Sequence, residues 1–451
     1  MTTLATPTLS VMQNDAVNSV KNWWNSDRFT PSAEGRAAYY TLDGFAGTGK
    51  STILPAIVES LLGNFEGVHF CAPTGKAAKV MTQKLNDFGI NKAARTIHSS
   101  IYKPRPTKTE FLERELETLE RELLTLRASN DSDSSLATLQ EDIRLKRINL
   151  EKAYDKEEGP KFSLNVDSEV RKASLIVVDE RSMVGAAVAK DLLSFGIPVL
   201  ALGDPGQLPP VGDNPGFDSP SGHFVLTEVH RQAKDNPIIR IATMVREGKM
   251  LREHDYGDGV RVVSKRNDDA TYNMDIDAQI ICGTHNRRFM ITQKLRRMMD
   301  LGGSAPQRDE PLICCKNSRN NTAFVNGAVF QTISARHEGE PIVNLEEGYA
   351  YFELNVRDEM GGEHKTFALQ SLFEEHFMGR GAFSCSKSDK FRASIERDHF
   401  DYAWAITCHK SQGSQWDNVV VHDEGAVFRE DADKWRYTAV TRAAKTLTVV
   451  V

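Results

Sequence analysis

The sequence predicts an α/β protein that is built on parallel sheets and interrupted by two insertions of different character. Three observations support this fold class. Apolar, strand-like runs alternate with helical stretches in residues 38–89, and the alternation returns in 173–204 and 278–300. Leucines recur at helical spacing in 107–157, between the first two of these blocks. Residues 311–398 hold short Val-, Ile- and Phe-rich runs with many glycines, which is typical of a small β-rich unit.

Composition is that of an ordinary globular protein. The chain has 451 residues, 40% of them hydrophobic and 26% charged, so two to four domains are expected. It contains no apolar run long enough to span a membrane, and its N-terminus lacks the basic and apolar regions of a signal peptide. Six scattered cysteines form no CxxC pair, which argues against a zinc site and against a disulfide framework. We therefore expect a reduced, cytoplasmic protein with no membrane partner.

Net charge gives little information about partners. The formal charge of −6 argues weakly against nucleic acid, whose binders are often basic. A binding groove needs only local positive charge, however, and acidic residues elsewhere can hide it in the total.

The first candidate site is the run "GFAGTGKST" at 44–52, which fits G-x-x-x-x-G-K-[ST]. It follows a strand and opens a helix, where backbone N–H groups can surround phosphate oxygens. Lys50 would reach the β- and γ-phosphates of a nucleotide, and the Ser51 hydroxyl would bind Mg²⁺. The alternative is a glycine-rich turn with no special role. The nucleotide-binding residues expected here are Gly44, Ala46, Gly47, Thr48, Gly49, Lys50, Ser51 and Thr52.

Two later strands end in polar residues. The buried-type strand in "LIVVDE" ends at Asp179 and Glu180, and carboxylates there are costly unless solvated, paired or bound to metal. We expect Asp179 to hold the Mg²⁺ shell and Glu180 to activate the attacking water as general base; a solvated strand end is the alternative. In "LALGDPGQLPPV" (200–211), Gln207 could position water or report the γ-phosphate, although Asp-Pro-Gly is also a common turn.

Two arginines are candidates for side chains that reach the nucleotide from another domain and stabilise its negative charge. Arg442 lies in "RYTAVTRAAKTLTVV" (436–450), and Arg231 lies in "LTEVHRQA" (226–233). Each could act as an arginine finger on the transferring phosphoryl group. A surface salt bridge is the alternative for any isolated arginine.

Eight segments, taken in order, resemble the motifs of superfamily 1 helicases, most closely those of the RecD-like branch. They are "GFAGTGKST", "CAPTGKAAKVM", "RTIHSSIY", "VVDERSMV", "LALGDPGQLPPV", "LTEVHRQ", "AITCHKSQGSQWD" and "YTAVTRA". The resemblance implies an ATP-dependent DNA helicase that moves 5′ to 3′ on single-stranded DNA, with ATP and Mg²⁺ as cofactors. It also implies two RecA-like motor domains, single strands and duplex junctions as partners, and action as a monomer. The resemblance does not determine whether the motor moves along DNA or RNA, or whether it acts in replication, recombination or repair.

The resemblance also implies a domain layout. The first motor domain would comprise 1–100 and 161–222, and the second 223–324 and 397–451. The text "AFVNGAVFQTI" is similar to a stretch that leads into a small SH3-like subdomain, which would make 325–396 a β insertion. Aromatic residues in that insertion are expected in its core rather than as platforms for bases. They are Phe352, Phe367 and Phe383.

Individual residues take roles from the same resemblance. Gln13, in "SVMQNDAV", matches an upstream glutamine that reads adenine, and Tyr437 would line the nucleotide site. Arg231 and Arg442 match arginines that the second motor domain contributes. The loop "TCHKSQGSQWD" would mirror "APTGK" of the first domain, so that closure over ATP moves one loop toward the other. The residues expected to face DNA are Pro73, Thr74, Gly75, Lys76, Thr96, His98, Thr407, His409, Lys410 and Ser411. For His98 and His409, a capped loop histidine is the alternative.

The arm at 101–160 lies outside the motor motifs. Two apolar stripes, joined by the polar "SNDSDSS", predict an antiparallel helical hairpin. The arm could brace the duplex junction, or serve as a spacer or as a contact for single-strand-binding or replication proteins. Its acidic residues would repel phosphates. They include Glu113, Glu115, Glu117 and Glu120.

Two other functions compete with the helicase hypothesis. A P-loop ATPase that remodels protein or RNA without unwinding DNA is the main alternative. A helicase–nuclease is less favoured, because the sequence offers no separate cluster of carboxylates and lysine for a nuclease domain.

Overall fold

The structure is a computed structural model, and it describes twelve stretches of the chain. They are residues 9–27, 37–104, 108–128, 133–156, 162–217, 223–228, 235–266, 278–318, 321–336, 341–344, 349–378 and 397–451. Arg231 and Phe383, both singled out in the sequence, lie outside the described residues.

The first part of the chain alternates strands and helices, as the sequence predicts. Its elements are α1 (Val11–Ser26), β1 (Tyr39–Gly44), α2 (Lys50–Leu62), β2 (Val68–Ala72), α3 (Gly75–Asp87), β3 (Arg95–Thr96), α4 (Ile97–Ile101), β4 (Tyr102–Pro104), α5 (Lys108–Ala128), α6 (Asp133–Lys156), β5 (Phe162–Leu164), β6 (Leu175–Val178), α7 (Ala186–Leu193), β7 (Val199–Gly203) and β8 (Phe224–Leu226). Short 3₁₀ turns lie at Glu169–Lys172 and Arg181–Met183.

Six of these strands form a parallel sheet in the order β3-β2-β6-β7-β1-β8. Alternate residues of β6 point to opposite faces: Leu175 and Val177 pack with α1, α2 and α3, whereas Ile176 and Val178 pack with α4 and α7. All four are buried, as expected for a strand covered on both sides. We call this sheet with its helices the first domain.

The arm is an antiparallel pair of helices, as the two leucine stripes predict. Leu112 of α5 packs against Leu150 and Ala153 of α6. On the same faces, Lys146 Nζ lies 2.6 Å from Glu115 Oε2. The antiparallel pair β4 and β5 lies at the base of the arm, where the chain leaves and re-enters the first domain.

The rest of the chain contains two further sheets. Its elements are α8 (Pro237–Arg246), β9 (His254–Gly257), β10 (Val260–Val263), β11 (Gln279–Cys282), α9 (His285–Met298), β12 (Pro311–Cys314), β13 (Val329–Ala335), β14 (Ile342–Asn344), β15 (Tyr349–Asp358), β16 (Glu363–Leu369), α10 (Gln370–Met378), β17 (Phe400–Tyr402), β18 (Ala405–Thr407), α11 (Cys408–Ser411), β19 (Trp416–His422), α12 (Ala432–Val440) and β20 (Ala443–Val450). A 3₁₀ segment at Gly425–Asp431 precedes α12.

The second sheet has the order β18-β11-β19-β20-β10-β9. Its strands run parallel except for the edge strand β9. Strand β20 lies in the interior of this sheet, between β19 and β10. We call this sheet with its helices the second domain. With two parallel sheets covered by helices, a helical hairpin and an antiparallel sheet, the predicted α/β fold class with two RecA-like domains is confirmed.

The third sheet is antiparallel, with the order β14-β15-β13-β12-β17 and β16 paired to β15. It begins earlier and ends later than the predicted insertion at 325–396, because β12 and β17 pair with each other and join it. Phe352 is buried in its core, as expected, whereas Phe367 is only partly buried.

Two buried ion pairs fasten α9 to this third sheet. Arg288 Nη2 lies 2.6 Å from Asp401 Oδ2, and Arg296 Nη1 lies 2.6 Å from Glu310 Oε1. Burial raises the pKa of Glu310, and the Arg296 charge opposes that shift. Removing one partner of such a pair would leave a buried charge uncompensated. The pairs therefore join the third sheet to a helix of the second domain.

The described residues include no helix that is long and apolar enough to cross a bilayer.

Candidate nucleotide and nucleic-acid sites

The loop between β1 and α2 has the backbone of a phosphate cradle. Gly47 and Gly49 have φ values of 79° and 76°, in the left-handed region that side chains disfavour. Helix α2 begins at Lys50, so its first N–H groups lack helical partners and face the loop. The Thr48 hydroxyl donates to the Phe45 carbonyl at 2.8 Å and tightens the turn. The loop can therefore bind an anion through backbone donors.

Lys50 lies inside this loop. Its ammonium donates to the Gly44 carbonyl and, at 3.3 Å, to the Phe45 carbonyl. Asp204 Oδ2, at the end of β7, lies 3.9 Å away. The ammonium must leave these carbonyls to reach a nucleotide's phosphates. The sequence analysis did not identify Asp204, although Asp204 follows a buried strand just as Asp179 does.

The expected magnesium ligands line one small cavity. Ser51 and Asp179 both border it, together with Lys84 of α3. The Lys84 ammonium donates to Ser51 Oγ at 3.0 Å, so a cation already lies against the oxygen expected to bind Mg²⁺. Hydroxyl and carboxylate oxygens are hard ligands that suit this ion. The described residues include no cluster of three or more His, Cys, Asp or Glu side chains that could hold a metal by itself. Two protein oxygens thus fit a magnesium ion that is also held by phosphates.

Glu180 has an unusual backbone and a perturbed carboxyl group. Its φ of 54° is left-handed, and its N–H donates to Asp179 Oδ1 at 3.0 Å. Burial raises the pKa of Glu180, and the charge of Asp179 raises it further, against the positive charges of Arg442, Lys50 and Lys84. A strained residue with a raised pKa beside a phosphate cradle suits a general base.

Gln207 is buried with an unused acceptor. Its N–H donates to the Asp204 carbonyl at 3.2 Å, and the side chain is 7% exposed. Among the described residues, its Oε1 has no hydrogen-bond partner. An unpaired buried amide oxygen costs roughly 1–3 kcal/mol, so this oxygen is suited to a water or another donor at the cradle.

Residues of the second domain complete the cradle. The Tyr437 hydroxyl accepts the Ala46 N–H at 2.8 Å and donates to Asp204 Oδ2 at 2.8 Å. Nearby, Leu208 N donates to Thr438 Oγ1 at 2.9 Å. Burial raises the pKa of Tyr437, and Asp204 adds to the shift, so the hydroxyl stays protonated and keeps donating.

Arg442 reaches the same region from the start of β20. It is buried, and its guanidinium donates to the Thr438 carbonyl, the Ser414 carbonyl and Thr441 Oγ1 at 2.9–3.1 Å. Its charge lowers the pKa of Glu180 across the interface. The structure thus brings the Arg442 charge within electrostatic reach of Glu180, whereas Arg231 lies outside the described residues.

Gln13 reaches the cradle through protein contacts. Its Oε1 accepts the Ser10 N–H at 3.0 Å as part of the cap of α1, and its Nε2 donates to the Thr48 carbonyl at 3.3 Å. The side chain is 2% exposed. Gln13 therefore anchors α1 to the phosphate loop.

Two of the three threonines expected to contact nucleic acid cap helices with their side chains. Thr74 Oγ1 accepts the Ala77 N–H at the start of α3, and Thr96 Oγ1 accepts the Ser99 N–H at the start of α4. His98 is exposed, with its ring 5.3 Å from that of Tyr102. Pro73 and Gly75 flank Thr74 at the end of β2.

Lys76 is not on an open surface. Its ammonium lies 3.0 Å from Glu359 Oε1, in the turn between β15 and β16, and 4.9 Å from the centre of the Trp416 ring. The side chain is 10% exposed. Lys76 therefore lies between the first domain and the segments that carry Glu359 and Trp416.

Two residues of "TCHKSQGSQWD" have side chains inside the protein. Thr407 and Ser411 are buried, and the Ser411 hydroxyl donates to the Cys408 carbonyl at 2.7 Å. Thr407 is the last residue of β18 and Ser411 the last of α11, and contact of either residue with DNA stays a prediction. His409 and Lys410 are only half-buried, and Lys410 Nζ donates to Cys315 Sγ at 3.4 Å.

The two loops that were expected to mirror each other are in contact. Gly413 has a φ of 72°, and a Cβ added there would lie 3.1 Å from the Ala77 Cβ. A glycine is thus required both by the backbone conformation and by the close approach. The contact joins the α3 terminus of the first domain to the loop after α11.

Two family models match the chain. Residues 31–265, just over half of it, match the model described as an AAA domain. Residues 402–450 match the UvrD-like helicase C-terminal domain. The "ATP-dependent DNA helicase dda" of Enterobacteria phage T4 is 30% identical over 223 residues, 47% of this chain and 38% of the phage protein. An uncharacterized Methanocaldococcus jannaschii protein, MJ1519, is 23% identical over 91% of this chain and 36% of its own length.

Two solved Pif1 helicase structures are similar to this chain over almost its whole length. The Candida albicans Pif1 helicase has a TM-score of 0.47 at 18% identity, with 98% of this chain and 94% of that chain covered. A Bacteroides Pif1 bound to ssDNA has a TM-score of 0.49 at 15% identity, with 98% and 93% covered. The chain spans a little over a third of the length of the curated relatives it matches.

Proposed function

The chain belongs to the superfamily 1 helicases of the Pif1/RecD-like type, and from that premise we propose that it is an ATP-driven DNA helicase. It translocates on single-stranded DNA, 5′ to 3′, and unwinds duplexes. One observation carries the proposal: the Tyr437 hydroxyl of the second domain is hydrogen-bonded both to the phosphate loop and to Asp204 of the first. ATP hydrolysis at a site shared by two domains is coupled to movement of one domain relative to the other.

The chemistry follows from the placement of four groups. Lys50 and the backbone of its loop neutralise phosphate oxygens, and Gln207 orients the attacking water through its free oxygen. Glu180 accepts a proton from that water. Arg442 stabilises the charge that develops on the transferred phosphoryl group. Bound through Ser51 and Asp179, Mg²⁺ would neutralise charge on the nucleotide.

The nucleic-acid track lies at the loops that meet at Gly413. Thr74, Lys76 and the loop at 407–417 lie at the domain boundary, so closure over ATP shifts one set of phosphate-binding groups relative to the other. The branch that the motifs resemble supplies the 5′-to-3′ polarity.

The remaining features fit a single-chain motor. We propose the domain limits 1–100 with 161–222, and 223–324 with 397–451, with the arm at 101–160 and a β insertion at 325–396 whose sheet extends beyond these limits through β12 and β17. The arm braces the duplex junction or contacts single-strand-binding or replication proteins. The helicase acts as a monomer in replication, recombination or repair.

Steady-state ATPase assays with no nucleic acid, single-stranded DNA and single-stranded RNA test the proposal, followed by unwinding of duplexes with 5′ or 3′ single-stranded tails. We expect stimulation by single-stranded DNA and unwinding of the 5′-tailed duplex. Turnover that ignores both nucleic acids would indicate an ATPase that remodels protein, and stimulation by RNA alone would assign a different track. Unwinding of only the 3′-tailed duplex would overturn the polarity.

A further inference from the structure

An arginine outside all the recognised motifs contacts the phosphate loop. The guanidinium carbon of Arg246, at the end of α8, lies 3.9 Å from the centre of the Phe45 ring. Phe45 is the residue after the first glycine of "GFAGTGKST", and it belongs to the first domain, whereas α8 belongs to the second. This distance is well within the range of a cation–π interaction.

Phe45 controls the geometry of the loop that carries it. Its carbonyl oxygen accepts hydrogen bonds from Thr48 N (3.3 Å), Thr48 Oγ1 (2.8 Å) and Lys50 Nζ (3.3 Å). The Phe45 ring packs against the core of the second domain and lies 6.4 Å from the Tyr437 ring. The position of Phe45 therefore helps to determine where the Lys50 ammonium lies.

The second domain holds two consecutive residues of the loop. Arg246 covers the ring of Phe45, and the Tyr437 hydroxyl accepts the N–H of Ala46. The Arg246 charge also lowers the pKa of Tyr437, which places the two side chains in one electrostatic environment. When the Lys50 ammonium leaves the Phe45 carbonyl, any resulting movement of the loop would thus move groups that contact the second domain.

We infer that Arg246 is a positioning residue for the ATPase reaction, which holds Phe45 and thereby sets the phosphate loop against the second domain. Arg246 contacts the loop rather than the reacting atoms, so its effect is on turnover and domain coupling. The inference rests on the proposed ATPase function.

The same helix provides a matched control. Arg240, also on α8, lies 5.8 Å from the ring of Tyr256 within the second domain. An Arg240→Ala change removes an arginine–aromatic contact from α8 but leaves the phosphate loop untouched. A loss specific to Arg246 would therefore come from its contacts at the phosphate loop, and the double variant with Phe45→Leu isolates the part that depends on Phe45.

The experiment compares Arg246→Ala, Arg246→Lys, Phe45→Leu, the double variant Arg246→Ala/Phe45→Leu and Arg240→Ala. ATP turnover with saturating single-stranded DNA and KM for ATP are measured for each. We expect Arg246→Ala to lower kcat by about 5- to 30-fold with KM changed less than about threefold. Arg246→Lys should recover most of the loss because it keeps a cation over the ring. The double variant should be no slower than the more impaired single variant, and Arg240→Ala should match the wild type.

Equal kcat for Arg246→Ala and Arg240→Ala would overturn the inference, as would multiplicative losses in the double variant. A second readout does not depend on turnover: the rise in Tm on adding non-hydrolysable ATP and Mg²⁺. Arg246→Ala and Phe45→Leu should reduce that rise non-additively, and additive reductions would also overturn the inference. If the wild type showed this rise but no DNA-stimulated turnover, the proposed function would fail, and the Tm comparison would still decide the role of Arg246.

Discussion

The ion pair between Lys76 and Glu359 leads to a quantitative expectation for DNA binding. Lys76 is one of the residues expected to face DNA, yet its ammonium lies 3.0 Å from the Glu359 carboxylate. A DNA phosphate that binds Lys76 must take the place of that carboxylate. Replacing Glu359 by Gln removes the competing charge and keeps the side-chain shape.

The exposure of the two side chains sets the size of the effect. The Lys76 side chain is 10% exposed and that of Glu359 is 51% exposed, so solvent screens the pair from one side. Such pairs contribute up to about 1 kcal/mol. Releasing about 0.5–1 kcal/mol corresponds to a two- to fivefold tighter Kd for single-stranded DNA.

The assay is fluorescence anisotropy with a labelled oligonucleotide over a range of salt concentrations. Glu359→Gln should tighten binding about two- to fivefold, whereas Lys76→Ala should weaken it and reduce the slope of log K against log salt by about 0.7. Glu363→Gln is the matched control, because Glu363 lies on the same hairpin but pairs with Arg357 at 2.9 Å. A folded Glu359→Gln protein that binds DNA no more tightly than Glu363→Gln would refute the competition between carboxylate and phosphate.

Three other expectations test the site and the arm. Lys50→Ala should nearly abolish ATP turnover because phosphate neutralisation is lost. Glu180→Gln should keep ATP binding but stop hydrolysis, because an amide cannot take the proton. Wild-type turnover in Glu180→Gln would mean that the general base is misassigned. The raised pKa of Glu180 should place the acidic limb of the pH–kcat profile above the ordinary carboxyl range. Activity should be lost as pH falls through that pKa, because the base becomes protonated. A kcat that stays constant down to a pH of about 4 would contradict this. Replacing 112–153 by a short Gly-Ser link should leave DNA-stimulated ATPase nearly intact and reduce duplex unwinding; loss of ATPase in a folded protein would make the arm part of the motor, and unchanged unwinding would make it a spacer or docking element.

Local sequence patterns were sufficient for the fold class and for the nucleotide loop. The run "LIVV" before Asp179 is apolar on both faces, which is a direct consequence of burial between two layers of helices. The backbone conformation of the phosphate loop requires glycines at fixed positions, so the glycine pattern in the sequence predicts that conformation directly. Burial of Ser411 was not predictable in this way, because one turn of α11 shows no periodicity that separates its inner face from its outer face.

Contacts between distant segments account for the other omissions. Arg246 and Glu359 meet their partners across contacts between separate parts of the fold, and Lys76 and Glu359 are 283 positions apart in the sequence. An isolated arginine in "MVREGKM" and a glutamate in a turn look like solvated surface charges. The third sheet exceeded its predicted range for the same reason, since β12 and β17 are short strands that are defined mainly by pairing with each other.

ATP turnover by Arg442→Ala, with and without single-stranded DNA, tests most directly whether the second domain completes the nucleotide site. The wild type should be stimulated by DNA, and Arg442→Ala should bind ATP with modestly changed affinity while its stimulated kcat falls by about 10³ or more. A folded Arg442→Ala protein that hydrolyses ATP at the wild-type rate under both conditions would contradict the account.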